Sequence, residues 1–246
     1  VVEHNRRVID QRENDFDRFA AAYNRKNERS PWNAYYERPA VLSLVGDVDG
    51  KGVLDAGCGA GAHAAALIER GARVTGIDAS TGLLAIAAER LGDAADLHVA
   101  DLAGVLPFAD DTFDVVLVSL VMHYLQDWAP TLREFRRILL PGGLLVISTH
   151  HPFADHVLSA AEDYFATYQF DELWDVEDQQ VRMRFWHRPL SAMTRAITDA
   201  GFRLRSVEEP QPGAALRDLN PQAWSRLSTG PAFVFFTGEA VADGAQ

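Results

Sequence analysis

Between Lys51 and His150 short apolar runs alternate with stretches of helical periodicity, and that rhythm admits few architectures. KGVLDAG, from Lys51, reads as a buried strand entering a glycine turn. Gly61 to Arg70 reads as a helix, with Gly71 placed to end it. ARVTGID follows as a second strand. Ser80 is positioned to cap a helix carrying Leu83, Leu84, Ala87, Ala88 and Leu91. ADLHVAD is a weaker third strand and FDVVLVSL the most apolar fourth. Asp127 is placed to cap a helix with Pro130 in its first turn, and LLVIST follows Pro141-Gly142-Gly143 as a fifth strand. Strands that read as continuous apolar runs between helices are buried on both faces. The pattern predicts an open, doubly wound α/β sheet over residues 51–150. Ligands of such sheets bind beyond the carboxyl ends of the strands, which here carry Asp55, Asp78, Asp101, Ser119 and His150.

The flanks follow another pattern. Residues 1–13 read as a polar arm. Phe16, Phe19, Ala20 and Tyr23 recur at helical spacing with Asn14 as a candidate N-cap, and a second aromatic-rich helix covers about Trp32 to Leu44. Residues 1–50 are therefore expected to form an N-terminal helical arm or lid, and residues 51–246 the main domain. Within the latter, about 150–188 breaks the alternation with eight aromatics, including Phe153, Tyr164, Trp174 and Phe185. This inserted cap begins directly after the fifth strand, so it is expected to bury its own aromatics and to cover the site. Pro189 opens a further helix, and FRLRSVEE and AFVFFTGE close the chain as strands.

Composition removes several functions. The 246 residues carry 23 Lys and Arg against 35 Asp and Glu, a formal net charge of −12. Holding a nucleic-acid backbone needs clustered cations, and no basic run is present. The single Cys58 excludes an internal disulfide and cysteine-rich zinc sites. No apolar run approaches the roughly 20 residues needed to span a bilayer, and the N-terminal residues lack the apolar core of a secretory signal. A cytoplasmic setting is expected, with no membrane or nucleic-acid partner; a homodimer is left open.

The segment Val53-Leu54-Asp55-Ala56-Gly57-Cys58-Gly59-Ala60-Gly61 is the most informative. Three alternate glycines let the backbone turn tightly and approach a ligand. A glycine triplet after a strand also occurs in dinucleotide sites. Asp55, however, would face a diphosphate with like charge, whereas it suits an ammonium and a sulfonium. Asp78 at the end of the second strand is placed to accept both hydroxyls of a ribose.

In this order and spacing the motifs resemble those of class I S-adenosylmethionine-dependent methyltransferases of the small-molecule type. VLDAGCGAG is similar to the family's first motif. Asp78, with Ala79 beside it, matches the acidic ribose ligand, and Asp101 and Leu102 match the adenine position. LPFADDTFDVVLVSLVMHYL and LREFRRILLPGGLLVIST resemble the stretches around the fourth and fifth strands. The resemblance implies a seven-stranded, mostly parallel Rossmann-like sheet, with AFVFFTGE as an antiparallel strand beside the fifth. It implies S-adenosylmethionine as cofactor, S-adenosylhomocysteine as product, and a methyl group passed to a small-molecule acceptor by direct in-line displacement. The implied cofactor residues are Asp55, Gly57, Cys58, Gly59, Gly61, Asp78, Ala79, Asp101, Leu102 and Ser119, with Tyr23 and Tyr36 as candidates to close over the site from the N-terminal helices.

Cys58 reads as a small filler, not a nucleophile. His123, His150 and His151 fall on the catalytic edge of the sheet and are the candidates for a base that takes the acceptor's proton. Adjacent histidines on an extended chain point to opposite faces, and no metal site is expected. Two other classes stay in view. One is a cofactor-binding protein of the same fold that does not methylate. The other is an NAD-dependent oxidoreductase, against which Asp55 argues.

Overall fold

The computed structural model describes residues 8–9, 14–177 and 179–241. A two-residue strand β1 (Val8–Ile9), a 3-10 turn at Phe16–Arg18 and helix α1 (Ala20–Arg29) come first. One wide π-turn, Asn33–Glu37, runs directly into α2 (Arg38–Val45), where Pro39 occupies a first-turn position whose N–H has no intrahelical partner anyway. Strand and helix then alternate: β2 (Gly52–Ala56), α3 (Ala62–Ile68), β3 (Arg73–Asp78), α4 (Thr81–Leu91), β4 (Ala95–Val99), β5 (Phe113–Ser119), α5 (Ala129–Ile138) and β6 (Leu139–His150). Helix α6 (Pro152–Ser159) leads into a hairpin of β7 (Tyr168–Val176) and β8 (Gln179–His187). The chain closes with α7 (Leu190–Asp199), β9 (Phe202–Glu208), the short helices α8 (Ala215–Leu219) and α9 (Pro221–Leu227), and β10 (Phe233–Ala240).

The main sheet has seven strands in the order β4-β3-β2-β5-β6-β10-β9. Only β10 runs antiparallel to its neighbours. From β2 the chain winds outward through β3 to β4, and from β5 it winds the other way. The crevice beyond the ends of β2 and β5 is therefore the switch point at which such sheets bind ligands. Register sets Asp55 against Leu117 across that line, and Ser119 against Ser148.

Alternate residues of each central strand feed separate cores on the two faces. Leu54, Val116, Ile147 and Phe236 pack with Phe135 of α5 and Ile197 of α7 on one face. Val53, Val115, Val146 and Phe235 pack with Val41 of α2 and Leu67 of α3 on the other. The continuous apolar runs thus reflect burial on both sides, as expected for a doubly wound sheet.

The aromatic insertion packs in part on itself, as Phe170 and Trp174 do on Phe185, and in part on the N-terminal segment. Val176, Val181, Met183 and Phe185 of the hairpin pack against Phe16, Phe19 and Tyr23 of the N-terminal segment. Tyr23 and Trp174 stack with ring centroids 6.2 Å apart. Strand β1 joins the hairpin in parallel, pairing Ile9 with Val181. The other residues of the expected polar arm lie outside the described ones.

Asn14 does not cap a helix. At φ 54° its side-chain amide brackets β8, donating to the Arg184 carbonyl and accepting from the Arg184 N–H, each at 2.9 Å. Asp127 lies one residue before the backbone cap of α5, Trp128, and its carboxylate accepts from Ala129 N–H at 2.9 Å. Ser80 caps α4 as its position predicts, accepting from Leu83 N–H at 3.1 Å.

Candidate functional site

The switch-point crevice opens into a cleft of about 250 Å³. Its floor is the glycine loop from Gly57 to Ala60, Asp78 with Ala79, Asp101 with Leu102, and Ser119 to Val121. Phe16, Tyr23 and Asn27 reach it from the N-terminal segment, and Tyr124 from the loop after β5. Nine of the expected cofactor residues thus meet on one surface. Asp55 and Gly61 do not line it.

The loop's shape requires its glycines for different reasons. Gly57 has φ 77°, and a Cβ there would stand 2.2 Å from Val121 Cγ2. Gly59 has φ 54° and nothing within 4 Å of the same position, so the backbone is bare to the cleft. Both features make a cradle where backbone can approach a ligand. Gly61 instead starts α3 at φ 76°, packed near Leu91.

Asp78 is fixed at the end of β3. Its Oδ2 accepts from Gly59 N–H and its Oδ1 from Ser80 N–H, both at 2.8 Å. Burial nevertheless raises its pKa. Asp101 accepts from Ala103 N–H at 2.9 Å and so also holds its own turn. The Cys58 thiol is pushed up by burial and packs under the loop, 3.0 Å from where a Cβ on Gly76 would sit. That contact agrees with a filler role.

Beneath the loop lies a polar cluster that the sequence did not disclose. Glu37 is wholly buried, and its carboxylate accepts from Ser119 Oγ at 2.8 Å and Ser148 Oγ at 2.5 Å, and contacts His63 Nε2 at 3.0 Å. The π-turn preceding α2 carries this carboxylate down to the sheet. Burial resists the charge on both partners. Their mutual attraction still leaves Glu37 below and His63 above its ordinary pKa. Asp55, beside them, is wholly buried with neither oxygen hydrogen-bonded, and burial pushes it up to about 6. Neither Glu37 nor His63 belongs to a recognisable spacing pattern.

The three histidines singled out as bases are placed otherwise. His151 turns away from the cleft. Its Nδ1 accepts from Phe153 N–H at 3.3 Å to cap α6, and its Nε2 lies 2.7 Å from Glu209. His123 is buried, and burial, with His150 beside it, holds it well below the usual imidazole range. His150 stacks on His123 at 3.8 Å, with its Nδ1 3.1 Å from Asp155. None of the three lines the cleft, because Tyr124 stands between it and His123, 4.5 Å from that ring. Tyr36 is a core residue: it is buried and stacks on Phe233 at 5.6 Å, and it does not line the cleft. Tyr23 does line it, and burial pushes its hydroxyl up to about 12. Among the described residues no group of three or more His, Cys, Asp or Glu is arranged to hold a metal. No described helix is long and apolar enough to cross a membrane.

A methyltransferase-domain family model matches residues 54–147, the part of the chain that builds β2 to β6. Demethylmenaquinone methyltransferase of Thermobifida fusca is 38% identical over 136 residues, which cover 54% of this chain and 58% of that protein. The chain thus spans less than two thirds of that relative's length. A solved S-adenosylmethionine-dependent methyltransferase of Mesorhizobium loti is 27% identical, with a TM-score of 0.67 over 82% of this chain and 96% of that one. A second such structure, from Listeria monocytogenes and described as putative, is 25% identical with a TM-score of 0.71 over the same shares of 82% and 96%.

Proposed function

We propose that this chain is a class I S-adenosylmethionine-dependent methyltransferase, which transfers a methyl group from S-adenosylmethionine to a small-molecule acceptor by direct in-line displacement. The observation that carries this reading is the convergence of the bare glycine loop with two strand-end carboxylates, Asp78 and Asp101, on one cleft. The residues fit the cofactor: Asp78 would hold the ribose, Asp101 and Leu102 would flank the adenine, and the backbone of Gly57 to Gly59 would lie against the chain that bears the sulfonium. The buried, unpartnered Asp55 contributes negative potential from below, which suits a cation and would repel the diphosphate of NAD.

Bound, the cofactor supplies a methyl group already activated by its positive sulfur. The chain's own work is then to align the acceptor and exclude water. The lid is formed by the described residues of the N-terminal arm through residue 50 and of the inserted cap at about 150–188, joined through the aromatic cluster of Phe16, Tyr23 and Phe185. With His151 capping a helix and His123 buried and neutral, the reading assigns proton removal to neither. The aromatic lining of Phe16, Tyr23 and Tyr124 favours an apolar or aromatic acceptor, in keeping with the demethylmenaquinone in the name of the Thermobifida relative.

Two measurements test the reading. Titration with S-adenosylhomocysteine and with NADH should show binding of the first alone. Incubation with methyl-tritiated S-adenosylmethionine and cell extract, with Gly59→Arg as the blank, should label small organic-soluble products. Label in macromolecules would overturn the acceptor class, and binding of NADH alone would overturn the reaction.

A further inference from the structure

The carboxyl edge of the main sheet has two halves. A cofactor over the glycine loop, Asp78 and Asp101 would fill the half above β2, β3 and β4, and reach Ser119 to Val121 at the end of β5. An acceptor that attacks from the side away from the sulfur must then come from the other half, above β6 and beneath the hairpin. Strands β5 and β6 are in register at Ser119 and Ser148, so His150, two residues further on, has its Cα about 8 Å from that of Ser119.

His150 is the imidazole on that half that is set up to take a proton. Its Nδ1 lies 3.1 Å from Asp155 Oδ1. A carboxylate only accepts, so the ring's own proton belongs on Nδ1 and its lone pair on Nε2. Among the described residues Nε2 has no hydrogen-bond partner, and the side chain keeps 16% of its surface accessible, against 4% for Asp155. Asp155 stands in the first turn of α6, and its Oδ2 is buried without a hydrogen bond.

The ring is clamped in its plane. His123 stacks on it at 3.8 Å, Phe185 lies at 4.8 Å and Phe233 at 6.1 Å. Arg188, at the end of β8, is the other charge nearby and bears on both Asp155 and His123. Burial and the neighbouring His150 keep His123 neutral, so a proton taken up by the stacked pair stays on His150, opposite Asp155. Tyr124 separates this pair from the cleft. Its ring touches His123, Phe16 and Phe185, and its hydroxyl has no hydrogen bond among the described residues, so turning the ring breaks none.

Resting on the methyl-transfer reading above, we propose that His150 Nε2 is the base that receives the acceptor's proton, with Asp155 as its positioning residue and Tyr124 as the ring an entering acceptor turns aside. The acceptor is then a compound with an O–H or N–H group. Its proton passes to Nε2 as its oxygen or nitrogen bonds to the methyl carbon, and the electrons of the broken carbon–sulfur bond remain on the neutral thioether.

Labelling of small products from methyl-tritiated S-adenosylmethionine in cell extract measures the rate, and calorimetry with S-adenosylhomocysteine measures binding. His150→Ala should cut labelling by about a hundredfold or more, the scale of general-base catalysis, with affinity within about twofold. Added imidazole should restore part of that labelling, which a folding defect would not allow. Asp155→Asn should cut labelling by about tenfold or more, and histidine 15N spectra should show the His150 proton leaving Nδ1. Tyr124→Ala should speed acylation of His150 by diethyl pyrocarbonate. Labelling by His150→Ala near the wild-type rate, a loss that imidazole does not rescue, or a wild-type His150 that carries its proton on Nε2 overturns the base and leaves the methyl-transfer reading standing. A wild type that binds S-adenosylhomocysteine but labels nothing overturns that reading, and the base with it.

Discussion

Asp55→Asn isolates the cost of the buried charge beneath the glycine loop. The carboxylate is wholly buried, has no hydrogen bond, and is raised from 3.8 to about 6, chiefly by burial with His63 opposing. The unfolded chain gives up this proton near 3.8, while the folded chain holds it to about 6. Across that window the folded state binds more protons, so stability falls as pH rises and stays lower above it. At 1.36 kcal/mol per pH unit the full displacement is worth about 3 kcal/mol. Near pH 5 roughly half the loss has already occurred, so between pH 5 and pH 8 the wild type should lose about 1.5 kcal/mol more than the variant. Urea unfolding of both proteins at the two pH values measures this directly. The asparagine has its own cost in a site without partners, but that cost does not titrate and cancels from the comparison. Parallel pH profiles would refute the reasoning, because they would mean that Asp55 is solvated or paired in solution.

Other substitutions probe other parts of the site. Gly57→Ala places a Cβ against Val121 at a positive φ and should cost roughly 1 to 3 kcal/mol in thermal or urea unfolding. Gly59→Ala meets nothing and should show only the smaller backbone strain, so equal losses would refute the cradle. Asp78→Ala should weaken S-adenosylhomocysteine by roughly 1 to 3 kcal/mol in calorimetry; unchanged affinity in a folded variant would remove Asp78 from the site. Asp17 accepts from Ser80 Oγ at 2.6 Å and Gly82 N–H at 2.8 Å, tying the N-terminal segment to the start of α4. Asp17→Ala should therefore speed proteolysis of that segment and ligand release, whereas unchanged rates of both would place the tie elsewhere. His151→Ala should lose about 1 kcal/mol of stability with the cap of α6, and leave methyl transfer near wild-type rates. A large loss of turnover at full stability would restore His151 to the chemistry.

Much of this molecule follows from local sequence alone. The buried strands from Val53 to Ile147 announce themselves because burial on both faces needs unbroken apolar runs, and helix ends at Ser80 and Gly71 because caps and left-handed turns restrict residue type. The glycine loop and Asp78 were legible for the same reason, since backbone approach and strand-end position are local properties. The direction of the histidine rings was not legible, because strand-end position says which edge a residue occupies, not which way its ring turns. His151 was drawn to the N–H of Phe153 and to Glu209, far away in sequence, while Tyr124 came between His123 and the cleft. Trp174 and Phe185 of the cap gave no sign of their partners, because apolar burial is non-directional and Phe16, Phe19 and Tyr23 lie well over a hundred residues earlier. Glu37 and His63 were beyond reach for a related reason. Each lies in a stretch that reads as ordinary helix, and only the π-turn before α2, packed on the sheet, brings the two together over Ser119 and Ser148. Local chemistry dictated the scaffold and the loop. Long-range packing decided which polar groups face the ligand, because burial in company is a property of the whole fold.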